Sequence, residues 1–246
     1  MKTGKSSKVA SSQLAGHPGL PAILNKHFTT QWLQPLHQPS VEAFEQLGRF
    51  VETKSFRNKL IFDSGCGTGE STRLIAAQNP SCRVLGVDRS IHRLRKTGHS
   101  TFPCNEGNII WLQAELETFW RLALDHGWKP VRNYLLYPNP HPKRSQLRRR
   151  WHAHPVFPAL LSLGGCLEMR CNWSVYAQEF ASAVGFATGV EVPVHSLVPA
   201  VPLSPFERKY AASGHPLYRV EVSPRLPPGK TGSIGLQARG LKSRTQ

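Results

Sequence analysis

The chain has 246 residues, with 31 Lys and Arg against 15 Asp and Glu, a formal charge of +16. That length suits one α/β domain with short extensions, and the charge points to a polyanionic partner, nucleic acid first. No stretch approaches the ~18 apolar residues of a membrane span, and the first twenty residues lack a signal-peptide apolar run, so a soluble, cytoplasmic protein with no membrane partner is expected.

Five cysteines, Cys66, Cys82, Cys104, Cys166 and Cys171, are odd in number and form no C-x-x-C pair; they read as reduced thiols. His141, His152 and His154 lie near one another, but no thiolate or carboxylate joins them at a ligand spacing, and no metal site is expected.

In chain order, residues 1–25 are rich in Ser, Gly, Lys and Pro and predict a mobile basic leader. A helix is expected over 41–51. Residues 26–222 form the domain, in which short apolar runs alternate with helical patterns, the signature of a mostly parallel sheet covered by helices. Seven strands are predicted, over 59–63, 83–87, 108–112, 131–137, 166–171, 190–194 and 217–222. Further helices are predicted over 71–78, 116–126, 149–163 and 173–185, with Pro155 and Pro158 breaking or kinking the third of these. Residues 223–246 read as a second basic tail, either merely solvated or drawn to phosphate.

The chemistry concentrates where strands end. The first strand runs into Asp63-Ser64-Gly65-Cys66-Gly67-Thr68-Gly69 and then a helix. This is the strand-turn-helix context in which glycines let backbone N–H groups approach a ligand. The G-x-G-x-G spacing after an acid favours S-adenosylmethionine (SAM) over a dinucleotide, with Asp63 expected toward the methionine ammonium end. The second strand ends at Asp88, placed for ribose hydroxyls or, alternatively, as a helix N-cap. After the third strand, Glu115 is a candidate for the adenine amino group, or simply a first-turn acid.

The fourth strand enters Tyr137-Pro138-Asn139-Pro140-His141-Pro142-Lys143-Arg144, a loop stiffened by three prolines. Stiffness suits a site that aligns an acceptor with a methyl group. Lys143, Arg144, Arg148, Arg149 and Arg150, with Trp151 and His152 adjoining, predict a phosphate-binding rim beside it.

In these residues the sequence resembles the tRNA (guanine-N7)-methyltransferase family, whose loop is Phe-Pro-Asp-Pro-Trp-Pro-Lys and whose cofactor turn is Glu-Ile-Gly-Cys-Gly-x-Gly-Glu. Leu163-Gly164-Gly165-Cys166-Leu167 looks like that family's Pro-Gly-Gly turn, and Cys171-Asn172-Trp173 with Tyr176 occupies its Thr-Asp…Tyr segment. Ser204-Pro205-Phe206-Glu207 and Gly214-His215-Pro216-Leu217-Tyr218 are similar to its closing Thr-x-Phe-Glu and Gly-His-x-x-Tyr.

The resemblance implies a Rossmann-like class I methyltransferase fold with helices on both faces, SAM as cofactor, and methyl transfer to guanine N7 of tRNA or another structured RNA. It implies that Asn139 sits between cofactor and base, and that Lys143, Asn172, Ser204 and Glu207 contact substrate. A monomer is the default expectation. The family's two aspartates are Asn139 and Asn172 here, so two charges that would offset the cation of an N7-methylated guanine are gone. Two other readings follow: an adenine amino-methyltransferase, whose Asn-Pro-Pro-aromatic loop the chain matches only as Asn-Pro-His-Pro, or a SAM- and RNA-binding paralogue without turnover.

Overall fold

The computed structural model describes residues 6–51 and 59–227. Its strands are β1 (Leu60–Ser64), β2 (Arg83–Asp88), β3 (Cys104–Glu106), β4 (Ile109–Gln113), β5 (Arg132–Leu136), β6 (Cys166–Cys171), β7 (His195–Ser196) and β8 (Tyr218–Val222). They form a single sheet in the order β3-β4-β2-β1-β5-β6-β8-β7. β4, β2, β1, β5 and β6 run parallel, while β8 is antiparallel to β6 and β3 is antiparallel to β4.

The sheet has eight strands where seven were expected. The additional one, β3, turns into β4 through Gly107 (φ 58°) and Asn108, pairing Glu106 with Ile109. At three residues it is too short for alternation to register. The strand predicted over 190–194 is coil, and the pairing instead falls on His195 and Ser196 against Arg219 and Tyr218.

Alternate strand residues enter two separate apolar clusters, which explains why helices are needed on both faces. Leu60, Phe62, Leu85, Val87, Ile110 and Leu112 join one cluster; Ile61, Val84, Ile109 and Trp111 join the other. The first is covered by α1 (Leu20–Thr29), α2 (Gln38–Val51), α5 (Leu116–Asp125), α6 (Phe157–Ser162) and α7 (Ser174–Thr188). The second is covered by α3 (Glu70–Gln78) and α4 (Ile91–Leu94) through Ile75, Ala76 and Leu94. Among the described residues no helix is long and apolar enough to cross a membrane.

Three segments differ from expectation. The helix predicted over 149–163 is two 3-10 turns, Arg144–Arg149 and Trp151–Ala153, followed by α6, with Pro158 in the first turn of α6, where a missing N–H costs nothing. Residues 6–25, expected to be mobile, are docked: Leu20, Leu24 and Phe28 form one buried stripe of α1, and Phe28 meets Phe186 of α7 at 6.3 Å. Each such side chain contributes about 1.5–3 kcal/mol when buried. In the expected tail, Pro224 is buried and Leu226 packs against the core; 228–246 lie outside the described residues.

Strand order reverses between β1 and β5, so the carboxyl ends of these two strands form the crevice in which open α/β sheets bind ligands.

Candidate active site

The glycine loop leaves β1 at this crevice. Gly65, Gly67 and Gly69 all lie at positive φ (85°, 60° and 83°), a region that costs a residue with a side chain about 1–2 kcal/mol. Gly69 has a second reason: a Cβ there would sit 2.5 Å from the Trp111 ring, which fills the floor below. At Gly67 a Cβ would meet nothing within 4 Å, so the loop is open on the side where a ligand must approach.

Asp63, expected toward the methionine ammonium end, instead lies buried under this loop, 1% exposed, with Oδ2 accepting from Ser71 Oγ at 2.6 Å and Thr72 Oγ1 at 2.7 Å. Burial pushes its carboxyl up to about 6 against the opposing pull of the two hydroxyls, and the nearby charge of Asp88 adds to the rise. Asp88 ends β2 and holds three partners: Gly67 N–H to Oδ2 at 2.9 Å, and Ser90 N–H and Arg93 Nη2 to Oδ1 at 2.8 and 2.9 Å. The α4 N-cap is Ser90, whose Oγ accepts from Arg93 N–H, so Asp88, just before it, serves as the tie between loop and strand.

Beyond Asp88 opens a cleft of about 640 Å³ lined by Arg89, Ser90, Phe102, Gln113 and Glu115, together with His37 and Gln46. That volume falls within the ~300–1,000 Å³ of small-ligand sites. Glu115 is the N-cap residue of α5, and its backbone N–H is taken by Ser40 Oγ at 2.9 Å, leaving the half-buried carboxylate on the cleft wall. Open glycine loop, terminal carboxylate and polar cleft follow one another along the strand ends. Together they fit the methionine, ribose and adenine portions of SAM.

Across the crevice the proline loop is bracketed by two non-glycine residues in left-handed backbone, Tyr137 (φ 51°) and His141 (φ 44°). Such strain persists where surroundings over-determine it, and here they do. Tyr137 N–H donates to Arg170 O at 2.8 Å; Arg150 donates to His141 O from Nε at 3.2 Å and Nη2 at 3.1 Å; Ser11 Oγ donates to Pro142 O at 2.6 Å. Asn139 stands exposed at the tip, its Oδ1 accepting from His141 N–H at 3.3 Å.

Asn172, after β6, approaches His215 with Nδ2 to Nδ1 at 3.1 Å, and His215 stacks on Tyr210 at 5.2 Å, which in turn meets Tyr137 at 5.5 Å. Nδ2 is a donor, so His215 Nδ1 accepts and its Nε2–H is left to donate to Ser6 O at 2.9 Å. Ser204 caps α8 (Pro205–Ala212) by accepting from Glu207 N–H. Glu207, expected to contact substrate, is instead fully buried and bound to Arg170 Nη1 at 3.0 and 3.2 Å. Burial, reinforced by the charge of Glu207, pushes the Tyr137 hydroxyl well above its ordinary range and keeps it a neutral phenol.

Lys143, Arg144, Arg148 and Arg149 are exposed beside the loop, but Arg150 is not part of this rim. It is fully buried, paired with Glu179 Oε2 at 2.5 Å, bonded to Gln13 Oε1 at 2.9 Å and lying over Trp173 at 4.8 Å. His152 is likewise buried on Glu179 at 3.0 Å. A run of three arginines gives no hint of which one turns inward. The available signal was Glu179 itself, an acid within the apolar run of α7 that needs a buried cation. Gln13 and His17, which also bind Glu179, carried no signal.

This topology and glycine turn define a class I SAM-dependent methyltransferase. A family model described as "Putative methyltransferase" matches residues 57–220, and the chain belongs to that family. It is 26% identical over 188 residues to the tRNA (guanine-N(7)-)-methyltransferase of Syntrophotalea carbinolica, covering 72% of this chain and 79% of that protein. A protein of the same name from Acidithiobacillus ferrooxidans is 24% identical over 136 residues, covering 54% and 59%. Among solved structures, the 16S rRNA methyltransferase KamB superposes with a TM-score of 0.50 at 18% identity, covering 79% of this chain and 96% of that one; at that identity the likeness concerns the fold.

Proposed function

We propose that the protein methylates N7 of a guanine in tRNA. The observation that carries this reading is the proline loop: a rigid, strained turn at the carboxyl end of β5, the strand paired with β1, that leaves Asn139 exposed with four exposed basic residues adjoining. The 26% relative's name supports the same substrate.

SAM supplies an electrophilic methyl on a sulfonium. Guanine N7 has a lone pair and no proton, so the acceptor needs no general base, and alignment is what the protein must provide. Asp88 and Glu115 hold the ribose and adenine sides of the cofactor, and Asp63 keeps the glycine loop in place through α3. Asn139 and Asn172 contact the base. Ser204 and Glu207 set the helix start behind it, and Lys143, Arg144, Arg148 and Arg149 meet phosphates.

Purified protein incubated with methyl-labelled SAM and tRNA, followed by strand cleavage at N7-methylguanine, tests this. A labelled guanine in tRNA is expected. Absence of N7-methylguanine from every tRNA overturns it, and nucleoside analysis of the same reaction would expose methyladenosine instead.

A further inference from the structure

From the fully buried Arg150 we infer that it is a positioning residue that fixes which end of the Asn139 amide faces the substrate, so that the loop presents an N–H donor beside the reacting nitrogen. The inference rests on the guanine reading above and specifies how the base is chosen.

The guanidinium has no freedom of its own. Nη1 is held by Glu179, Nη2 by Gln13, and the plane lies over Trp173. Glu179 is fixed in turn by His152 Nε2 at 3.0 Å, Gln13 Nε2 at 2.6 Å and His17 N–H at 2.8 Å. From that anchor Nε and Nη2 both reach the His141 carbonyl, clamping a residue at φ 44°. In this conformation the His141 N–H points back to Asn139 Oδ1.

A rotated Asn139 amide would set N–H against N–H. Its oxygen is therefore committed to the loop and its Nδ2–H groups are left for a ligand. An aspartate here would offer only acceptors; this chain offers a donor. The guanine edge bearing N7 carries O6, an acceptor, where adenine carries the N6 amine, a donor. A donor beside N7 thus accepts guanine and opposes adenine without any charge on the loop.

The test uses the full chain and two tRNAs differing only at the methylated position, guanine or 2-aminopurine, which keeps N7 and lacks O6. Wild type is expected to prefer guanine by about 10–100-fold in kcat/KM, in line with loss of one hydrogen bond to the reacting base. Arg150→Lys and Asn139→Ala should each reduce the preference to within about threefold, through kcat on the guanine tRNA, with KM for tRNA and Kd for SAM little changed. Gln13→Ala leaves the Arg150–Glu179 pair in place and should lower the preference partway, which keeps the question decidable if Arg150→Lys does not fold. Equal loss on both tRNAs in Arg150→Lys or Gln13→Ala, or a wild type that methylates both equally well, overturns the inference alone. A wild type that places no methyl on N7 of either tRNA overturns the guanine reading with it.

Discussion

Asp88 Oδ2 accepts the Gly67 N–H at 2.9 Å, so the carboxylate at the end of β2 holds the middle of the glycine loop at the end of β1. The ribose candidate and the cofactor turn are one mechanical unit. Asp88→Ala should therefore weaken SAM binding twice over, by removing a hydrogen-bond acceptor for the ligand and by releasing the loop. Titration calorimetry is expected to show a rise in Kd of about 10–100-fold, the equivalent of one or two charge-assisted hydrogen bonds. An unchanged Kd would remove Asp88 from the site.

Gly67 and Gly69 separate binding from folding. Gly69→Ala places a methyl against Trp111 and forces φ 83°, with an expected loss of about 2–4 kcal/mol in denaturant unfolding. Gly67→Ala meets no protein atom within 4 Å and should cost about 1–2 kcal/mol from φ alone, while obstructing SAM. Equal destabilisation by both would mean that the Trp111 floor does not constrain the loop.

Asp63 gives a pH signature. Its folded-state carboxyl, raised to about 6 from an ordinary 3.8, contributes stability that is present below about 3.8 and lost as pH rises through about 6. Holding the carboxyl at about 6 rather than 3.8 corresponds to about 3 kcal/mol. Relative to Asp63→Asn, wild type should lose stability on that order between pH 4 and 7 in ligand-free protein; a difference flat in pH would show that the carboxyl is not raised.

Glu179→Ala leaves Arg150 buried without its anion, and unfolding experiments should show a cost of about 3–5 kcal/mol. Arg150→Met combined with Glu179→Leu should recover much of that stability while leaving the proline loop unclamped and methyl transfer impaired. Recovery of full activity in the double variant would mean that the pair serves folding only.

The exposed rim is tested by salt. Reversing Arg144, Arg148 or Arg149 to Glu is expected to weaken tRNA binding and to lower the slope of log K against log salt by about 1 for each phosphate no longer neutralised. SAM affinity should not move. Slopes identical to wild type would place the RNA elsewhere.

Much of this molecule was legible before its structure was known. Short unbroken apolar runs at Leu60–Phe62, Leu85–Val87 and Ile109–Leu112, alternating with helical patterns, determined a sheet covered on both faces, and Gly65, Gly67 and Gly69 after a strand determined the cofactor turn, because apolar runs and positive φ are local properties. What only the tertiary structure decided is non-local. Whether Arg149 or Arg150 turns inward depends on Glu179, twenty-nine residues further on. That Glu207 is neutralised depends on Arg170 from another strand, and the docking of residues 6–25 depends on an acid and an apolar stripe of α7. Burial of charge is settled by partners distant in sequence, and no spacing along the chain records which partner will be there.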